Sequence, residues 1–143
     1  MTSLHDAYVT ITRDLARLTV RCPDLTLLDR TSGQQVGAPD PHLATEAIEE
    51  PEPRETLVRS GARVFRVSGA DSAAELTVQI MSPLQDDVMD LLGRPWHQLT
   101  VDGAFVGVLE PAVEHDVPVW RSPQGYSCPI GRLDQGFGHL IQW

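Results

Sequence analysis

Along residues 4–20 the apolar side chains fall at helical intervals, with Tyr8, Ile11, Leu15 and Leu18 on one face. Ser3 is placed to cap this helix, and Asp6, three residues on, completes a capping box. Val9, Thr10 and Thr12 dilute the helical propensity because β-branched side chains lose rotamer freedom on a helix. Cys22-Pro23 ends the segment, since the residue before proline avoids the α region.

The pattern then shortens. "LTLLDRTSGQQVG" (25–37) predicts two strands around the turn "DRTSG". In "DPHLATEAIEEPEPRE", Asp40 as cap and Pro41 at the first helical position open a short helix that Pro51 and Pro53 stop. From 55 to 80 the period becomes two. "TLVRSGARVFRV" predicts strands joined at Ser60-Gly61, and "AELTVQI" alternates Leu76, Val78 and Ile80 against Thr77 and Gln79, a strand with one buried face. The sharpest local signal is "SPLQDDVMDLLG": Ser82 as cap, Pro83 at the first helical position, Gln85 closing the capping box and Gly93 as terminator. Leu84, Val88, Leu91 and Leu92 form its apolar stripe, leaving Asp86, Asp87 and Asp90 outside. A strand follows around 104–109, then a hairpin of "VPVWRS" and "GYSCPIGRL" across "SPQG", and "GHLIQW" closes the chain as an edge strand. Together these elements specify an α+β fold over 1–143: a single domain, antiparallel sheet and about three short helices.

Composition narrows the class. The chain has 143 residues, 41% hydrophobic and 22% charged, the values of a globular domain large enough to bury its own core. No apolar run approaches the roughly 20 residues a membrane span needs, and "MTSLHDAYVT" lacks the basic start of a signal peptide. Two widely separated cysteines make no disulfide scaffold, although a single Cys22–Cys128 bridge stays open. A cytoplasmic setting is the expectation.

The net charge is −9, every one of the eleven basic residues is Arg, and neither Lys nor Asn occurs. Both missing amino acids use A-rich codons, so their absence points to a GC-rich genome. Acidity of this size argues against nucleic-acid binding, which relies on clustered cations at phosphates. It permits a basic protein partner. Five Glu between 46 and 55 against one Arg mark 40–55 as an exposed, acidic, proline-containing segment.

Candidate chemistry is sparse. His97, His115, Cys128 and His139 supply zinc-type donors but no close pair of the kind that builds a knuckle, so no metal is expected. Cys128 precedes Pro129 in a predicted strand, with no signature of an activated thiol, and reads as a small buried hydrophobe like Cys22. Asp86, Asp87 and Asp90 spread over a helix surface, unlike the convergent loop of a calcium site. No phosphate-binding loop or nucleophile elbow occurs, and no cofactor is implied. Trp96, Trp120 and Trp143, with Tyr126 and Phe137, concentrate the aromatics in the C-terminal third, as core or as a binding surface.

"LQDDVMDLLGRPWHQ" (84–98) and "PAVEHDVPVWRSPQGYSCPIGRL" (111–133) resemble small uncharacterised proteins of GC-rich soil actinobacteria, in which a similar helix precedes "RPW" and a "VW" hairpin ends in "IG-L". Several of these carry Cys and His after "RPW" and after "VW". Here those places hold His97 and Arg121, and only Cys128 remains, so the resemblance implies that a knuckle, if ancestral to that group, is lost from this chain. The resemblance implies no activity.

Two readings follow. The first is a non-enzymatic acidic interaction protein, of the immunity or inhibitor kind, presenting Glu46, Glu49, Glu50, Asp86, Asp87, Asp90 and Trp143 to a partner protein of basic character. The second is a small enzyme or ligand-binding domain with a pocket around 96–116, using His97, His115 and Asp116 with Cys128. It requires those side chains to converge in one concave site. A homo-oligomer joined through the aromatic C-terminus is a third arrangement.

Overall fold

Leu4, Ala7 and Ile11 are buried on one face of α1 (Ser3–Leu15), with Tyr8, Leu15 and Leu18 packed beside them. The computed structural model describes residues 3–18, 21–46, 50–93, 96, 98–101, 104–133 and 141–142. α1 stops at Leu15, short of the expected residue 20. The Thr12 hydroxyl donates back to the carbonyl of Tyr8 (2.8 Å), a local bond that competes with the helix. Arg17 and Leu18 then bond three residues back, to the carbonyls of Asp14 and Leu15, tightening the exit.

The first sheet is a four-stranded antiparallel array in the order β2-β1-β3-β4, from β1 (Leu25–Asp29), β2 (Gln35–Gly37), β3 (Thr56–Ser60) and β4 (Arg63–Val67). β1 and β3 are apolar at consecutive positions because both faces of the sheet are covered. Leu27 opposes Val58 on the face toward the main core, whereas Leu28 opposes Leu57 on the other. Leu43 of α2 (Leu43–Glu46) closes that second face, so the helix opened by Asp40 is anchored on the sheet through its first turn. The expectation of an exposed 40–55 segment needs correction at both ends: Leu43 and Glu55 are fully buried. Gly37 lies where β2 meets α1. A Cβ there would fall 2.2 Å from the Leu25 carbonyl oxygen and 2.8 Å from the Tyr8 ring, at a φ of +99.

The largest departure from the sequence reading is α3 (Ala73–Leu92), 20 residues long. The expected strand 74–80 falls in its first half, and Ser82-Pro83 lie inside it. Ser72 is the N-cap, accepting from the Glu75 amide (3.1 Å), while the Glu75 carboxylate reaches back to the Asp71 amide (2.7 Å). Leu76, Ile80, Leu84 and Val88 recur every fourth residue on the buried face, and this spacing outweighs the alternation of Leu76, Val78 and Ile80. Gly93, left-handed at φ 68, ends the helix and donates to the Met89 carbonyl.

Two three-stranded antiparallel sheets complete the chain. One has the order β10-β5-β6, from β5 (Gln98–Val101), β6 (Ala104–Val108) and β10 (Ile141–Gln142), with β10 at the expected edge. The other has the order β7-β8-β9, from β7 (Glu110–Glu114), β8 (Val117–Arg121) and β9 (Ser127–Pro129). β7 was not expected: Pro111 and the acidic ends mask it, and the proline is tolerated because β7 is an edge strand. β8 and β9 form the expected hairpin across "SPQG", with Trp120 opposite Cys128. Trp96 meets Trp120 edge to face at 5.4 Å, and both belong to a main core drawing on residues from Leu4 to Leu133. Among the described residues no helix is long and apolar enough to cross a membrane.

Candidate functional site

Of the residues proposed for chemistry, the described His115 and Asp116 do not meet Cys128. His115 and Asp116 form the tight turn between β7 and β8, with φ of 51 and 62, as a two-residue hairpin loop requires. Both are exposed at its tip. Cys128 is buried opposite Trp120, three residues further along β8 than Val117, so about 10 Å of strand separates it from the turn. Its thiol donates to the Pro129 and Arg132 carbonyls (3.4 and 3.3 Å) and has the surroundings of an inert core cysteine. Both cysteines are free. His97 and His139 lie outside the described residues. Among the described residues no three His, Cys, Asp or Glu side chains are placed to hold a metal ion.

The acidic candidates also separate. Glu46 ends α2, Glu50 is exposed in the link to β3, and Glu49 and Trp143 lie outside the described residues. Asp86 stands on the side of α3 that faces Val108 and Glu110. Asp87 and Asp90 stand on another side, along the wall of a groove of about 340 Å³.

Four segments build that groove. α1 contributes Leu15, the link before β1 contributes Cys22 and Pro23, the β3–β4 hairpin contributes Ala62 and Arg63, and α3 contributes Leu84, Val88 and Leu91 with the two carboxylates. Leu84 and Val88 are buried, but Leu91, expected in the buried stripe, is 51% exposed. It overhangs the groove because the apolar face of α3 outruns the body it packs on. Arg63 crosses the rim, its guanidinium paired with Oδ1 of Asp87 and stacked 5.2 Å from the Phe65 ring. Oδ2 of Asp87 is shut off from solvent and accepts no hydrogen bond, and Asp90 makes no polar contact among the described residues. A second groove of about 340 Å³ continues past Leu15, Cys22 and Pro23 along α1 to Tyr8.

Cys22 is half-buried in the wall shared by both grooves, and burial pushes its thiol pKa up. Less thiolate is then present at neutral pH, so native Cys22 should alkylate with iodoacetamide more slowly than a cysteine in a short peptide, accelerating further into the alkaline range. Cys128 should stay unmodified until the chain unfolds. Mass mapping of the alkylated cysteines over time checks both expectations, and equal labelling of the two thiols would contradict them.

The remaining buried polar groups brace the fold. Asp14, 1% exposed on α1, accepts from the Trp120 indole N–H (2.6 Å) and the Gly131 amide (2.7 Å), joining α1 to the C-terminal hairpin. Gly131, at φ 93, lets its backbone approach, since a Cβ there would lie 3.1 Å from the Thr10 carbonyl oxygen. Glu55 takes Arg30 at 2.8 Å and Arg66 at 3.4 Å. Gln85 donates to the carbonyls of Leu109 (2.6 Å) and Trp96, tying α3 to the links beside β5 and β7. At Asp40, partial burial raises the carboxyl pKa, but the His42 amide and Arg59 outweigh it and hold the group below its ordinary value. Its contribution to folding is therefore present at neutral pH and fades as pH falls through that lowered pKa.

Nothing in the sequence flags Asp14 or the groove, because each is assembled from residues far apart in the chain. The chain matches no protein-family model, no curated protein and no solved structure.

Proposed function

We propose that this protein is a non-enzymatic interaction module that docks on another protein, as an inhibitor, immunity protein or adaptor does. The observation that carries the reading is the groove wall on α3: an exposed Leu91 beside Asp87 and Asp90, above an apolar floor. An exposed large apolar residue joined to an apolar depression with a charged rim has the make-up of a recognition surface. The net charge of −9 would hasten encounter with a basic partner more than it would tighten the final complex. Two free thiols suit a reducing compartment, and the cytoplasm is the setting we assign.

Native mass spectrometry of the chain purified gently from its own cells tests this reading. A second polypeptide retained at fixed stoichiometry, and released as salt rises, is the expected result. A bare monomer at low salt, or one carrying only a metabolite or metal ion, would overturn it.

A further inference from the structure

Resting on that docking role, we infer that the groove at the C-terminal end of α3 receives a cationic amphipathic segment of the partner protein. One apolar side chain of that segment fills the floor over Leu84 and Val88, and an adjacent Arg or Lys lies on Asp90.

The floor defines the first half of the occupant. A groove of about 340 Å³ is at the low end of the roughly 300–1,000 Å³ of small-molecule pockets, and suits one or two anchoring side chains of a longer chain. Leu91, half in solvent at its edge, offers the surface that such an anchor would cover.

The carboxylates define the second half. Oδ1 of Asp87 is occupied by Arg63, whereas its buried Oδ2 accepts nothing. Asp87 therefore gives the rim its negative charge, while the carboxylate open to an incoming cation is that of Asp90. Asp90 stands three residues on, hence on the same side of the helix, with its charge uncommitted among the described residues. The pair presents two negative charges against the one positive charge of Arg63 at the rim. A guanidinium presents its donors in a fork that matches the exposed carboxylate of Asp90 bidentately, so Arg fits better than Lys. An acidic segment would meet repulsion at the same rim.

The test uses the full chain, ¹⁵N-labelled, titrated with three 14-residue peptides: an amphipathic helix of Leu and Arg, the same with Glu for Arg, and the same with Ser for Leu. The Leu/Arg peptide should shift the amides of Cys22, Ala62, Arg63 and Asp87–Leu91 saturably, with a Kd of about 10–100 µM. The Glu and Ser versions should not. Asp90→Asn and Leu91→Ser, both on exposed side chains and so compatible with folding, should each weaken binding about 5–10-fold. Asp6→Asn, on the far end of α1, should leave Kd unchanged. Shifts centred instead on Glu50–Glu55, equal binding of the Glu peptide, or no effect of either groove variant would overturn the inference. So would a Leu91-dependent dimer seen by sedimentation, which would make a second copy the occupant.

The two proposals fail separately. A cellular partner kept by Asp90→Asn and Leu91→Ser but lost on Glu50→Gln would sink the groove and leave the docking role standing. Specific uptake of the Leu/Arg peptide with no polypeptide retained from cells would do the reverse.

Discussion

Replacing Asp14 with Ala is expected to lower the unfolding free energy by about 3–5 kcal/mol. Both contacts fall on the same oxygen, Oδ2, which takes the Trp120 indole N–H and the Gly131 amide at 2.6 and 2.7 Å. Ala removes that acceptor and strands two buried donors, each worth about 1–3 kcal/mol when left unpaired. It also opens a small cavity between α1 and the hairpin, which adds to the cost. Asp14→Asn keeps an acceptor oxygen but points an NH₂ into the same space, so about half the loss should remain. Urea unfolding followed by far-UV circular dichroism measures this as a shift in midpoint at unchanged slope. A loss below about 1 kcal/mol would show that the clamp does not hold the two halves together. The effect should reach the groove, because Leu15, next in sequence to Asp14, forms part of its wall. A loosened α1 should therefore weaken peptide binding even where the chain remains folded.

The same clamp shows where sequence reasoning stops. Hairpins with local turn chemistry were legible: "DRTSG", Ser60-Gly61 and "SPQG" each join the strands they were expected to join. So was the α+β class, since class depends on the order of elements more than on their bounds. α3 was misread because two signals conflict within it. Ser72 and Glu75 form one capping box and Ser82 with Gln85 imitates another ten residues later, made persuasive by Pro83. Tertiary burial decides between them, as Leu76, Ile80, Leu84 and Val88 pack on a single face. β7 was hidden for the opposite reason: Pro111 and two Glu contradict strand propensity, and only pairing with β8 overrules them. The acidic residues of α3 were found, but their division was not. Whether Asp86 or Asp90 borders a groove depends on what lies beside each turn of helix, and those neighbours come from α1 and the β3–β4 hairpin. The groove was therefore invisible even though several of its members were named.

Pro83→Ala should stabilise the protein by about 1–2 kcal/mol, and the sign of this change separates the two accounts of α3. In the structure Pro83 lies in the interior of a helix that runs from Ala73 to Leu92. It has no N–H for the Gln79 carbonyl, and its ring crowds that same carbonyl, a combination that costs about 3 kcal/mol relative to Ala. Part of the gain is offset, because Ala leaves the unfolded chain freer by about 0.4–1 kcal/mol and gives up some contact of a half-buried ring. The remainder still favours Ala. Had α3 begun at Ser82, Pro83 would occupy the first helical position, where its fixed φ is an asset and its missing N–H is not needed. Ala would then be neutral or destabilising. Urea midpoints of the two proteins decide the sign, and a midpoint that falls on substitution would contradict a continuous α3. The consequence extends to recognition, since Asp87, Asp90 and Leu91 all lie within the turns that follow Pro83. A proline in mid-helix sets the direction of those turns relative to the N-terminal half. Restoring an ordinary helical turn at residue 83 should shift the two carboxylates against the wall formed by Leu15 and Cys22. The more stable Pro83→Ala protein is accordingly expected to bind the Leu/Arg peptide about 2–5-fold more weakly, a trade of binding geometry against stability.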